Sequence, residues 1–190
     1  MDSAEGRSAL RIARKAVEEW VRNRKRLETR DYPHSFEEKR GVFVTLHTYP
    51  DGGLRGCIGF PEPTHHLIHG IIEAAMHACE DPRFPPLSPQ ELDKITIEVS
   101  ILTKPEPLKV PPAERPKSIK RGKDGLIIRS GFHSGLLLPQ VATEHKMTSE
   151  EFIMAACTKA ILPPDAWKDG GTEVYTFQCD VFSEKKPGVV

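Results

Sequence analysis

The sequence predicts an α+β fold: a mainly antiparallel sheet flanked by helices, with a smaller second subdomain. Three observations carry this. Strand-like runs come as hairpin pairs around turn residues, as in GVFVTLHTY (41–49), then PDGG, then LRGCIGF (54–60). Helical stripes interrupt these pairs without regular βαβ alternation, which ranks the α+β class above a Rossmann-type arrangement. A proline-rich, basic stretch at 104–123 then separates an earlier block of strands from a later one. A chain of 190 residues suits a single domain, 1–190, with a smaller lobe formed partly by about 104–145, and can bury a core without disulfides.

Composition narrows the function classes. Charged residues are 28% and hydrophobic residues 38%, as in an ordinary globular protein, and 27 Lys plus Arg balance 27 Asp plus Glu. That balance removes the global electrostatic argument for nucleic acid and leaves only local patches. Asp2 and Glu5 stand where a signal peptide needs a basic and then a greasy run, and no apolar run has the length of a membrane span, so a cytoplasmic protein without a membrane segment is expected. Cys57, Cys79, Cys157 and Cys179 are widely spaced with no CxxC pair, so they read as reduced thiols, not a zinc ribbon or redox motif.

Taken in order, Leu10, Ala13, Val17, Trp20 and Val21 recur at helical spacing over about 4–23. Nine basic against five acidic residues over 1–30, concentrated in RNRKR at 22–26, read as a solvated helix end, with nucleic-acid contact as the weaker alternative. The 41–60 hairpin follows. Alternation along its second strand places Arg55, Cys57 and Gly59 on one face, so thiol and guanidinium should be neighbours.

Thr64 is a cap for a helix over about 65–79, with Leu67, Ile68, Ile71, Ile72, Ala75 and Cys79 as its apolar stripe. His65, His69, Glu73 and His77 step along its other side. That spacing suits a helical metal site, but no HExxH is present and a solvated polar face is the plainer reading, so no metal is assigned. EDPRFPPL (80–87) is a stiff loop, and Ser88, Pro89 and Glu91 form a capping box that opens a short helix. ITIEVSILT (95–103) alternates as a strand, with Glu98 at its middle; a charge buried there would need a partner, naturally an arginine. GKDGLIIRSGFHSGLLLPQVA (122–142) reads as strand, turn, strand and proline-started helix. Thr148 and Glu151 cap a further helix, and EVYTFQCDVFSE (173–184) closes the domain as one strand. No GxGxxG or GxxxxGK[ST] signals a nucleotide, and no cofactor is assigned.

The stretch LRGCIGF is the candidate site. A guanidinium beside a cysteine favours the thiolate, and Arg55 is placed for that role. Gly56 and Gly59 would let a ligand approach the backbone. A nucleophilic Cys57 still needs a base, for which His47 on the partner strand and His133 in the later turn are candidates, with Glu98 a further proton-handling candidate. The competing reading is that Cys57 is a packed core thiol.

LRGCIGF, DPRFPPL (81–87), EVSIL (98–102), GKDGLIIRSG (122–131) and SGLLLPQVA (134–142), in this order, resemble the AMMECR domain family over nearly the whole chain. The resemblance implies an α+β fold with a larger and a smaller subdomain and a cleft beside the LRGCIG strand. Carried over by position, the motifs cover Leu54, Arg55, Gly56, Cys57, Ile58 and Gly59, then Asp81, Pro82, Arg83, Phe84, Pro85 and Pro86. Met147 departs from the tryptophan that relatives often carry there. By the same resemblance, a Memo-type protein or a radical SAM protein is the expected partner.

Two functions from different classes follow. In one, the site binds or modifies a small anionic ligand or peptide, with Cys57 as nucleophile or thiolate ligand and Arg55, Arg83, Asp81, Gly56 and Gly59 as ligand-binding positions. In the other, the same cleft is a non-catalytic adaptor for a partner protein. The glycine, cysteine and arginine combination favours the first, because broad interfaces lean on exposed aromatic anchors and only 7% of residues here are aromatic.

Overall fold

The structure is a computed structural model describing residues 1–190. It divides into two compact units, Met1–Leu102 with Asp180–Val190, and Thr103–Cys179. Both are α+β.

In the first unit, α1 (Ser3–Asn23) opens with Asp2, whose side chain accepts the backbone N–H groups of Ala4 and Glu5 at 2.8 Å, while Glu5 accepts the Asp2 N–H at 3.2 Å. This reciprocal cap satisfies donors that a helix start leaves open. The Asp-x-x-Glu spacing is thus the start signal of the helix. Strands β1 (Val42–Thr48) and β2 (Leu54–Phe60) form the expected hairpin, with Gly52 at φ 72° in the turn. Such a conformation favours glycine. Strand β3 (Ile95–Leu102) pairs antiparallel with the other side of β1.

Along β1, Val42, Val44 and Leu46 are fully buried and alternate with half-buried Phe43, Thr45 and His47. The buried face packs under α1 and α2 (Leu67–Ala78). The expected Thr64 cap is not formed: α2 begins two residues later than expected, its N-cap His66 makes no side-chain cap bond, and Glu38 O accepts the Leu67 N–H at 2.9 Å. Backbone from the preceding segment does the capping, while Thr64 bonds within its own loop to His65. Ser88 and Glu91 do form their capping box, over a tight 3-10 helix, Pro89–Lys94.

The second unit holds β4 (Glu106–Pro107), α3 (Arg115–Ser118), β5 (Gly125–Ser130), β6 (His133–Leu137), α4 (Pro139–Glu144), α5 (Ser149–Lys159) and β7 (Glu173–Phe177), with sheet order β4-β7-β5-β6. Pro139 opens α4, and Thr148 with Glu151 caps α5, as the sequence predicts. The final segment is not one strand. Gln178 interrupts it, its N–H donating to Thr103 Oγ1 at 2.8 Å and its carbonyl accepting the Thr103 N–H at 2.9 Å. The residues beyond form β8 (Cys179–Ser183), which completes the first sheet in the order β2-β1-β3-β8. No helix is long and apolar enough to cross a membrane.

Candidate functional site

Strand β2 is the edge of the first sheet, so alternate backbone groups on its outer side have no strand to pair with. Cys57 is one such position. Its N–H donates to Asp81 Oδ2 at 2.9 Å, and its carbonyl accepts from Arg83 Nη2 at 3.4 Å. Two side chains from DPRFPPL therefore stand in for a neighbouring strand. The loop reaches β2 because the strand passes tightly by the end of α2: a Cβ on Gly56 would lie 2.3 Å from Ala78 O. Beyond that point Leu87 N–H returns to Cys79 O at 2.8 Å, closing the loop.

Asp81 is the anchor. Its side chain is 1% exposed and also accepts from Arg83 three times, from the backbone N–H and Nε at 3.0 Å and from Nη2 at 2.7 Å. The Arg83 guanidinium, aided by the Cys57 and Arg83 backbone donors, holds the Asp81 carboxyl well below the usual carboxylate range against the opposing effect of burial. Asp81 in turn raises the Arg83 pKa. Yet the Arg83 side chain is 56% exposed. It is a guanidinium fixed along one edge and open along the other.

Because the Cys57 N–H points outward to Asp81, Cys57 and its registered partner Thr45 form a pair without exchanged backbone bonds, the kind whose side chains approach most closely. The Thr45 hydroxyl accordingly meets the half-buried Cys57 sulfur at 3.3 Å. Thr45 was not among the sequence candidates, and counting back through the hairpin turn would have set it opposite Gly56, because the register shifts by one residue between Leu46 and His47.

The other candidates fall as follows. The register jumps between Leu46↔Gly56 and His47↔Leu54, leaving Arg55 unopposed as a β-bulge. The bulge releases Arg55 from the alternation that would set it beside the thiol. Its guanidinium instead makes two bonds to Glu91, at 2.7 and 3.2 Å, and lies 5.9 Å from the Phe84 ring. Arg55 and the Ser88 cap donors lower the Glu91 pKa to about 2. The guanidinium that does contact Cys57 is that of Arg83.

His47 lies on the Thr45 face of β1, in register with Leu54 and Thr96. His133 belongs to the second unit, exposed at the start of β6 and paired with Ser130. Glu98 is half-buried on β3 opposite Thr45, and its carboxylate accepts from the Ser183 hydroxyl at 2.9 Å, not from an arginine. Gly59 opposes Phe43, whose ring a Cβ there would strike at 2.3 Å, so this glycine serves packing within the hairpin.

The histidine row does not converge on a metal geometry. His65 and His77 pack on the Phe60 ring, His66 bonds the Glu37 carbonyl, and His69 faces Arg26; no group of three or more His, Cys, Asp or Glu side chains is placed to hold a metal ion. Cys79 is buried, its thiol pushed up to about 12 by desolvation, and it donates to Ala75 O.

The AMMECR1 family model matches residues 10–182. A protein of Thermococcus gammatolerans is 54% identical over 187 residues, covering 96% of this chain and 91% of that one. One of Methanothermobacter thermautotrophicus is 54% identical over 183 residues, covering 95% and 94%. The crystal structure of the uncharacterized protein PH0010 from Pyrococcus horikoshii is similar at a TM-score of 0.88 and 46% identity, over 100% of this chain and 96% of that one.

Proposed function

We propose that this chain, which belongs to the AMMECR1 family, uses the Cys57, Asp81 and Arg83 corner to bind a small anionic ligand. The acidic group of the ligand meets the open edge of Arg83, and its body reaches the Cys57 thiol. One observation carries the reading: Asp81 holds Arg83 against the Cys57 carbonyl while leaving that guanidinium 56% exposed. The buried carboxylate closes the sheet edge at the Cys57 N–H and also fixes the arginine, and a guanidinium held in one orientation at the surface suits recognition of an anion. Arg55, by contrast, is 12% exposed and committed to Glu91, so it supports the loop and does not bind the anion.

The test compares two alkylating agents of nearly equal size, iodoacetate and iodoacetamide. Each forms an S–C bond at a cysteine and releases iodide, the thiol proton going to solvent, but only iodoacetate carries a carboxylate. At Cys57, followed by peptide mass spectrometry, the iodoacetate-to-iodoacetamide rate ratio should exceed that of free cysteine, and Arg83→Gln should return it to the free value. A ratio equal to that of free cysteine in the wild-type chain would overturn the proposal. If that result came with an Arg83-dependent protein partner in pull-downs, the adaptor reading would replace it.

A further inference from the structure

The first unit carries a concavity unrelated to Cys57. After α1 the chain turns through Arg24 in the left-handed region (φ 54°) and runs over 24–31 without helix or strand. Between this segment and α2 lies an open groove of about 410 Å³, within the range of small-molecule sites. Its floor is apolar: Ile68 and Ile72, 3% and 2% exposed and one helical turn apart, flanked by half-buried Leu27 and Tyr32. Its rim is basic. Arg26 and Arg30 are both exposed there, with His69 between groove and solvent.

The rim carries two arginines, one of which already faces an acid. Arg26 Nη2 approaches His69 Nδ1 at 3.2 Å and Glu73 at a long 3.5 Å. A guanidinium can only donate, so in this contact His69 Nδ1 is the acceptor. Arg30 has no protein partner. The Arg24 N–H donates to Trp20 O at 3.0 Å and the Asp31 N–H to Thr29 Oγ1 at 3.2 Å, closing the two ends of the segment. Glu28 is the one acidic residue on the lining.

We propose that this groove is a binding site for a small oxyanion carried on an apolar or aromatic body, a phosphate monoester or a carboxylate, with the body over Ile68 and Ile72 and the anion between Arg26 and Arg30. An apolar ligand without an anion would leave Arg30 unused, and an anion without a body would gain nothing from the half-buried Leu27 and Tyr32. Groove and rim together thus suit one amphiphilic ligand.

The experiment uses the full chain, isotopically labelled, with phenyl phosphate as probe and amide and methyl NMR shifts as readout. Phenylacetate, benzyl alcohol and inorganic phosphate are the comparison arms. Saturable shifts confined to residues 26–32 and 68–72 are expected with phenyl phosphate or phenylacetate, the tighter of the two naming the anion. Benzyl alcohol and inorganic phosphate should each bind at least about 10-fold more weakly, since each lacks one of the two contacts. Arg26→Gln and Arg30→Gln should each weaken binding about 3- to 5-fold, as expected of exposed charge pairs, and Glu28→Gln should tighten it. Unchanged melting temperatures would show that these surface variants remain folded. No saturable shift with either anion, equal binding of benzyl alcohol, or indifference to both arginine variants would overturn the proposal.

Discussion

Replacing Asp81 by the isosteric Asn probes the anchor of the candidate site. The carboxylate accepts four bonds, from Cys57 N, Arg83 N, Arg83 Nε and Arg83 Nη2. An Asn that keeps its oxygen toward Arg83 N and Nε turns its NH2 toward the Cys57 N–H and Arg83 Nη2, so donor faces donor. Leaving the Cys57 N–H unsatisfied costs about 1–3 kcal/mol. The lost ion pair adds about 1 kcal/mol or less, because Arg83 is largely solvated. The sum is about 1–4 kcal/mol at pH 7.

The pH dependence separates this from a packing defect. The folded Asp81 pKa is depressed, so its stabilisation is complete above the unfolded value of about 3.9 and is lost as pH falls through the folded value. The penalty of Asp81→Asn should therefore shrink by about 1 kcal/mol between pH 7 and pH 3. Glu91, lowered to about 2, drains over the same window, so the quantity to compare is wild type minus variant. Each unit holds one tryptophan, Trp20 and Trp167. Urea unfolding followed by Trp20 fluorescence in a Trp167→Phe background reports the first unit alone, and Trp167 Nε1 makes no hydrogen bond for Phe to lose. A penalty below about 0.5 kcal/mol at pH 7, or one equal at pH 7 and pH 3, would refute the assignment of Asp81 as the anchor.

Three further substitutions test the surrounding frame. Glu184, whose side chain is 0% exposed, accepts from Arg14 and from Ile97 N; Glu184→Leu strands the Arg14 charge and should cost about 3–5 kcal/mol in urea unfolding, with Arg14→Met restoring at least half. Gly56→Ala sets a Cβ 2.3 Å from Ala78 O, so it should lower the melting temperature and speed the reaction of Cys57 with a disulfide reagent as β2 shifts from the loop. Ile161 sits after α5 at φ 60° and 82% exposed; Ile161→Gly relieves the left-handed strain without losing packing and should add about 0.5–1 kcal/mol.

The hairpin, the α5 cap and the α+β class were legible because each rests on local chemistry: alternation, turn glycines, and Ser or Thr three residues before Glu. The split of the last strand at Gln178 was not, since its cause is a pair of bonds with Thr103, 75 residues away. Of the candidate residues, Cys57, read from its strand, and Asp81 and Arg83, carried by the family resemblance, are in contact in the fold. Strand alternation misplaced the Arg55 guanidinium because a single bulge residue resets the two-residue period. The same limit hid Arg14 with Glu184: a helix arginine and a C-terminal glutamate look solvated until the fold brings them 2.9 Å apart at Nε and Oε1.

The arrangement at Cys57 couples protection of a sheet edge to presentation of a cation, and this coupling distinguishes Arg83 from a generic positive charge. Its guanidinium spans both Asp81 oxygens and the Cys57 carbonyl at once, which a planar fork can do and a lysine ammonium cannot. Arg83→Lys keeps the charge but frees the head from the strand. If fixed geometry is what selects the anion, the iodoacetate-to-iodoacetamide ratio at Cys57 should fall most of the way to the Arg83→Gln value. A lysine variant that kept the full wild-type ratio would reduce the site to local electrostatics, a property that rising salt would then screen within a Debye length of about 10 Å at 0.1 M.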